Sequence, residues 1–565
     1  VLHTALLCLT ACGGDSRSPA ITTPTVVVPG SPTSVVATAG DGSVRLTFSA
    51  PTSDGGAPVQ TYLATCSAAG AAPLSATGTA SPIVVTGLSN GVSYSCNVSA
   101  TNSRGTGLPS TAVAVMPVAP VAGSFRGSVV LGSPTTTSIK ANVYSADQTG
   151  SVSIAYGTVP GIYDGQTAPV AIAPRTPVEI PLTGLRANTR YFYRLHWQTS
   201  GVGSGPTPEA SFQTARTPGS TFVFGVQGDS HPERARIQFD SSLYVNTLTT
   251  AAADRPDFYI MLGDDFSVDQ ISAPVITNDL VTERYRIQRP YLGIIGKTAP
   301  VFLVNGNHEQ AARYLLDGTP NNVAVWAQNA RNTHYSQPAP DGFYTGNTEP
   351  VPFIGLLRNY YAWQWGDALF VTIDPYWASS VAVDNTFGGD TKRGNLWDIT
   401  HGDAQYQWLK NTLERSTAKY KFVFAHHVLG TQRGGIELAR QYEWGGEDGR
   451  GVNQFAANRP TWPQPIHQLF VSTRVTAFFQ GHDHIWVHQQ LDGVTYQSVS
   501  EPADPNYSLF NADAYLTGER FPNSGYTRVT VSPTNVRVEY IRTYLGADIG
   551  PGRVNGSVAF GYTIP

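Results

Sequence analysis

A chain of 565 residues is too long for one hydrophobic core, so about two to four domains are expected. Its 41% hydrophobic content is that of a globular protein, while 13% charged residues with 56 Gly and 40 Pro disfavours helical bundles and favours turn-rich β modules. A net charge of −4 supplies no basic field, which argues against nucleic acid as a scaffold partner and against membrane contact through charge.

In chain order, residues 1–12 are a short apolar run ending in small residues, too short to span a bilayer. Leu9-Thr10-Ala11-Cys12 resembles a bacterial lipobox. It predicts a lipid-acylated Cys12, hence a protein of the cell envelope or exterior that meets a membrane only through its anchor; the alternative is an ordinary cleaved signal peptide. Residues 13–30 are polar and Pro-rich, as a linker would be.

Residues 31–117 show short alternating runs such as Val44-Arg45-Leu46-Thr47-Phe48 between turn residues, the pattern of a β-sandwich. Gly87-Leu88-Ser89-Asn90-Gly91-Val92-Ser93-Tyr94 resembles a fibronectin type III module near its final strands. Cys66 and Cys96 lie in β-like runs and share parity with inward-pointing Tyr residues, so adjacent strands would bring them into bridging range. A disulfide is expected, with two buried thiols as the alternative. Residues 121–217 repeat the plan at Leu182-Thr183-Gly184-Leu185 and Tyr191-Phe192-Tyr193, and resemble the β-domain that precedes the catalytic domain in purple acid phosphatases. Neither sandwich clusters His or carboxylates, so spacing, or contact with a cell surface or polysaccharide, is their expected role.

After Ser220 the apolar runs stop alternating, and helical stretches (Arg236 to Ala253, Ala404 to Arg415) separate them. Phe222-Val223-Phe224, Phe258-Tyr259-Ile260-Met261-Leu262, Val301-Phe302-Leu303-Val304, Phe422-Val423-Phe424 and Ala477-Phe478-Phe479 read as strands covered on both faces, which predicts an α/β domain of αββα layers over residues 220–548 and a C-terminal tail over 549–565. Each run leads directly into polar residues of metal-binding type: Gly228-Asp229-Ser230-His231, Gly263-Asp264-Asp265, Gly306-Asn307-His308-Glu309, Ala425-His426-His427 and Gly481-His482-Asp483-His484. Each fragment alone is weak, but five in succession at the carboxyl ends of strands converge on one site.

This order of motifs resembles the calcineurin-like metallophosphoesterase superfamily, and with the preceding sandwich it resembles the purple acid phosphatase branch. It departs from that branch at His231, where the first motif has no His, and at Ser267, which stands where the second motif carries Tyr. The resemblance implies that Asp229, His231, Asp264 and His484 hold one divalent metal ion and Asp264, Asn307, His426 and His482 a second, with Asp264 bridging. Zn, Mn or Fe suit such a mixed N and O donor set. It further implies hydrolysis of a phosphate ester by a metal-bridging hydroxide, with His308 contacting phosphate or protonating the leaving oxygen, and His427 facing substrate beside Asn307 and His308. Asp265 and Asp483 are expected to be structural. Residues 266–299, 311–358 and 431–462 are expected to build the pocket, with Arg433, Arg440 and Trp444 as candidate anion or base contacts. A phosphodiesterase or nucleotidase is the alternative to a general phosphomonoesterase, and a surface-binding protein without catalysis is a more remote one. Replacement of the Tyr by Ser267 would leave the protein colourless or pale, with a neutral to alkaline optimum; a strong visible band with an acidic optimum would require another Tyr, such as Tyr285, at the metal.

Overall fold

The computed structural model describes residues 26–40, 42–117, 124–200, 202–235, 237–268, 271, 275–383, 395–428 and 432–565. Residues 1–25, with the expected anchor at Cys12, lie outside the described residues. The chain divides into two compact units, Val1–Ala122 and Gly123–Pro565. Among the described residues no helix is long and apolar enough to cross a membrane.

The first unit is a sandwich of a three-stranded sheet (Thr33–Gly40, Ser43–Ser49, Ile83–Thr86) and a five-stranded one built around Thr61–Ser67 and Tyr94–Asn102. Alternation explains its core: Val44 and Leu46 are fully buried from one sheet, and Ala64, Cys66, Cys96 and Val98 from the other. Cys66 sits directly across from Cys96 in the ladder, and the two form a disulfide. The expected linker is shorter than 13–30: the N–H groups of Val27 and Gly30 donate to the carbonyls of Gly55 and Ser53, and Asn102 Nδ2 donates to the Val27 carbonyl. These bonds dock residues 27–30 onto the sandwich.

The second unit begins with another sandwich, whose three-stranded sheet (Gly127–Gly132, Ser138–Ser145, Val178–Thr183) faces a six-stranded one centred on Gly150–Gly157 and Arg190–Thr199. Buried polar side chains weld it to the α/β domain that shares its unit. Arg289, on the helix Arg289–Gly296, is fully buried and donates to Ser128 Oγ, to the Ser128 and Asn142 carbonyls, to Asn142 Oδ1 and to the His334 carbonyl. Ser133 Oγ and Asn142 Nδ2 donate to the carbonyls of Ser336 and Thr333, and Tyr193 donates to the Lys297 carbonyl.

The remainder is two facing sheets with helices outside. One sheet runs β3 (Val301–Leu303), β2 (Phe258–Met261), β1 (Phe222–Gln227), Gly525–Val531, Val536–Arg542, Ser557–Ile564. The other is eight-stranded and carries Ala368–Thr372, β4 (Tyr420–Phe424), β5 (Ala477–Gln480) and Val494–Ser498 side by side. The unbroken apolar runs follow from burial on both faces: Phe258, Ile260 and Leu262 enter the inter-sheet core, while Tyr259 and Met261 enter the layer under the helices. Phe422 and Phe424 likewise face inward while Val423 and Ala425 face the opposite helices. Phe224 packs edge-on to Phe370 and Phe422 at ring-centroid separations of 5.2 and 5.6 Å, locking the sheets together. The αββα reading holds.

Two boundaries differ from expectation. The helix expected from Arg236 runs Ser241–Ala253, because the Asp240 carboxylate accepts the N–H groups of Ser242 and Leu243 and caps it there. Residues 549–565 are not a tail, since Ser557–Ile564 pairs antiparallel with Val536–Arg542 and packs Tyr562 and Ile564 against the inter-sheet core.

Candidate metal centre

Strands β1, β2 and β3 are mutually parallel, as are β4 and β5, so their carboxyl ends open on one side of the two sheets. Hydrogen bonds between the strand ends then draw the motifs together. The Asp229 carboxylate after β1 accepts the His482 N–H after β5 at 3.0 and 2.8 Å. Asp264 Oδ1 after β2 accepts the His308 N–H after β3 at 2.9 Å. Glu309 accepts four N–H groups, from Asp264, Asp265, Phe266 and Gly306, at 2.6 to 3.0 Å. Across the sheets, His426 Nδ1 lies 2.8 Å from the Leu262 carbonyl.

This crowding explains the glycines that open the motifs. A Cβ on Gly306 would lie 2.1 Å from Asp264 Oδ1, and one on Gly481 2.6 Å from Asp229 Oδ2. His231, Asp264, His482 and His484 themselves have φ of 44°, 58°, 67° and 56°. Each such conformation costs on the order of 1 kcal/mol and persists because the surrounding bonds over-determine it.

Two overlapping donor groups result. Asp229, His231 and His484 bring one ligand atom each within 4.8 Å of one another; so do His426, His427 and His482; and so do Asp229, Asp264 and His426, which join the two. His426 Nε2 lies 3.1 Å from Asp264 Oδ2, and His231 Nε2 lies 3.8 Å from the same oxygen. His231 Nδ1 is 2.8 Å from Glu233 Oε1, and His484 Nδ1 is 2.8 Å from Glu501 Oε2. A carboxylate on Nδ1 leaves Nε2 to ligate, as a metal-binding imidazole requires. His482 Nε2 is buried and has no hydrogen-bond partner, an orphan that a cation would satisfy. The residues present therefore fit divalent cations.

Burial, together with repulsion from Asp264, pushes Asp229 up to about 6, although His426 opposes the rise. Burial also resists ionisation of Asp264, yet His426, His308 and His231 outweigh it and hold that carboxyl well below its ordinary value. His426, lowered by burial, is raised by Asp264 and Asp229 to about 10. Burial, with His427 and Arg433 nearby, keeps His482 well below the ordinary imidazole value, and burial with His231 and Arg433 does the same for His484. These two rings are neutral, the state in which imidazole binds a metal.

Of the remaining site residues expected from sequence, Asn307 is buried on the β3 loop, and His308 is the most open of the site's histidines, with its side chain 16% exposed and its Nε2 3.8 Å from Asp264 Oδ2. His427 is buried with the ligands: its ring stacks on His482 at 4.0 Å, and Tyr376 Oη lies 2.5 Å from its Nδ1. Asp265 accepts from Ser230 and Gln227, and Asp483 from Tyr515 and the Gly434 N–H, both structural roles. Arg433 donates to the His482 carbonyl beside the site. Trp444 is fully buried in the outer core and donates to Tyr496, so it offers no surface to a base; Arg440 is exposed. Tyr285 stacks on Phe266 in the helical layer at 4.4 Å, and Ser267 is buried. The tyrosine beside the histidines is Tyr376, which the motif reading missed, along with Glu233 and Glu501.

Family models agree with this architecture. The Calcineurin-like phosphoesterase family model matches residues 222–486, and the Fibronectin type III domain model matches residues 30–116. A solved structure of PhoD is similar over 79% of this chain and 91% of its own, with 15% identity and a TM-score of 0.53, a likeness of fold. A purple acid phosphatase from yellow lupin (Lupinus luteus) seeds covers 92% of each chain with 14% identity and a TM-score of 0.49. Comparison with curated proteins gave no match. Residues 222–486 thus form a calcineurin-like phosphoesterase domain behind an N-terminal fibronectin type III domain, and the chain is a metal-dependent phosphoric ester hydrolase.

Proposed function

We propose that the protein hydrolyses phosphate esters at a dinuclear centre outside the cytoplasm. The observation that carries this reading is the pair of donor groups joined through Asp229, Asp264 and His426. Asp229, His231, Asp264 and His484 would hold one cation, and Asp264, Asn307, His426 and His482 the other, with His427 beside the second. Zn, Mn or Fe suit these donors. Bound there, the cations supply Lewis acidity and a water that ionises near neutral pH.

The chain's own groups do the rest. Glu233 and Glu501 orient His231 and His484, and Glu309 holds the two loops that present Asp264 and Asn307. His308, bound by its N–H to Asp264 yet open on its ring, delivers a proton to the leaving alcohol oxygen. Location outside the cytoplasm is supported by the Cys66–Cys96 disulfide, which persists in oxidising compartments. Acylation at Cys12 would tether the chain there, leaving the first sandwich to contact the cell surface or a polysaccharide.

Asp264→Ala is expected to release both metals and abolish turnover, read by metal analysis beside an ester assay; full metal content with retained activity overturns the bridging role. His308→Ala keeps both metals and lowers kcat by about 10²–10⁴-fold for poor leaving groups, and by less for nitrophenolate, which needs little protonation. An equal loss for both classes of leaving group would make His308 an orienting residue instead.

A further inference from the structure

Beside the metal-binding histidines the fold holds an apolar surface that the hydrolytic machinery does not use. The loop after Val494–Ser498 carries Leu509 and Phe510, which remain 52% and 41% exposed. Two exposed large apolar side chains in succession cost solvation free energy unless something covers them. Phe510 packs against the ring of His484, tilted by 42° with 5.6 Å between centroids. From there the rings form a row: His484 to His231 at 5.1 Å, and His231 to His308 at 5.6 Å. His231 is fully buried and His484 nearly so, and the two partly exposed rings, Phe510 and His308, border that buried pair.

The platform is held in place on both sides. Ser508 N–H donates to Asn523 Oδ1 at 2.8 Å, and the Asn523 N–H returns to the Ser508 carbonyl at 3.2 Å. On the far side Asn511 Nδ2 donates to the Asp483 carbonyl at 3.2 Å, and Tyr515 donates to the Asp483 carboxylate at 2.5 Å. Since Asp483 lies between His482 and His484, the loop is tied to the same motif that supplies those histidines. Rigid aromatic surface beside a reacting centre binds flat apolar groups with little further loss of entropy.

We propose that Phe510, flanked by Leu509, binds the alcohol portion of the substrate and directs the enzyme to phosphate esters of aromatic or other flat apolar alcohols. The inference rests on the phosphoesterase reading and adds its substrate class. A phosphate held by the centre would lie between these two exposed rings, its leaving oxygen turned to His308 and its substituent projecting outward within reach of Phe510.

The test compares 2-phenylethyl phosphate with propyl phosphate, whose leaving alcohols differ little in acidity, so that the ratio of their kcat/KM values reports recognition rather than chemistry. The metal-loaded wild-type protein should prefer the phenylethyl ester by about tenfold, Phe510→Ala should bring the ratio to about one with the propyl ester little changed, and Phe510→Tyr should restore it. Binding of the non-hydrolysable 2-phenylethyl- and propylphosphonates, followed by calorimetry, should show the same loss of preference. A ratio that survives Phe510→Ala, or an equal loss for both esters, overturns the platform while leaving the hydrolase intact. Failure of the metal-loaded wild type to hydrolyse either ester, as the monoester or as its methyl diester, would instead bring down the phosphoesterase reading, and the platform with it.

Discussion

The two sandwiches share a local code and differ in what they are attached to. In each, a Gly at positive φ (Gly87, Gly184) precedes a buried Leu (Leu88, Leu185), and a Tyr further on (Tyr94, Tyr191) accepts the N–H five residues before it, from Ser89 and Arg186. That corner closes a sandwich irrespective of its neighbours. The first sandwich ties two neighbouring strands of one sheet with a disulfide and forms a compact unit of its own, whereas the second shares one compact unit with the catalytic domain. Local sequence thus specifies the module, and a handful of polar side chains decides whether it is a separate body or part of the enzyme's scaffold.

The largest effect should come from removing both sandwiches. Deletion through residue 217 strips the bonds to Arg289, Ser336, Thr333 and Lys297 and exposes the face that buries Val130, so the remaining chain should fail to yield folded, active enzyme. Recovery of a soluble enzyme with wild-type kcat would show that the second sandwich is a tether after all. Arg289→Met is the sharper probe. It leaves Asn142 Oδ1 and several carbonyls unpaired, at about 1–3 kcal/mol each, partly offset because burial already disfavours this guanidinium and lowers it to about 10. A net loss of about 3 kcal/mol is expected, seen as a lower denaturation midpoint with kcat nearly unchanged. A shift below about 0.5 kcal/mol would mean that the weld lies elsewhere. The smallest effect should follow deletion of residues 13–117, with kcat/KM on soluble esters kept within about twofold. A large loss there would give the first sandwich a share in the active enzyme.

Much of the site is legible in the sequence for a simple reason. Asp229, Asp264, Asn307, His426 and His482 lie just past strands buried on both faces, and a strand buried on both faces announces itself as an unbroken apolar run. Glu501 and Tyr376 carry no such mark, because their partners His484 and His427 are 17 and 51 positions away, a relation set by packing. Arg289 gave no signal for the same reason: in a stretch rich in Arg and Tyr it reads as surface, and only the partner sandwich reveals that it is buried. The final strand was legible and overlooked. Val558, Phe560, Tyr562 and Ile564 alternate properly, but the Gly550-Pro551-Gly552 turn before them suggests an ending.

The bond between Asp229 and the His482 N–H has a consequence for when the protein acquires its metals. It spans 253 positions, most of the catalytic domain. Neither the group with His482 nor the group with His484 is complete until β5 is in place; before that only Asp229, Asp264 and His426 are on offer, and strand pairing of this range comes late in folding. Loading therefore waits for the finished fold, and the ion captured is drawn from the pool of the compartment where folding ends. If, as proposed above, the chain crosses a membrane before it folds, that pool would be the one outside, and the environment rather than the ribosome's surroundings would choose the metal.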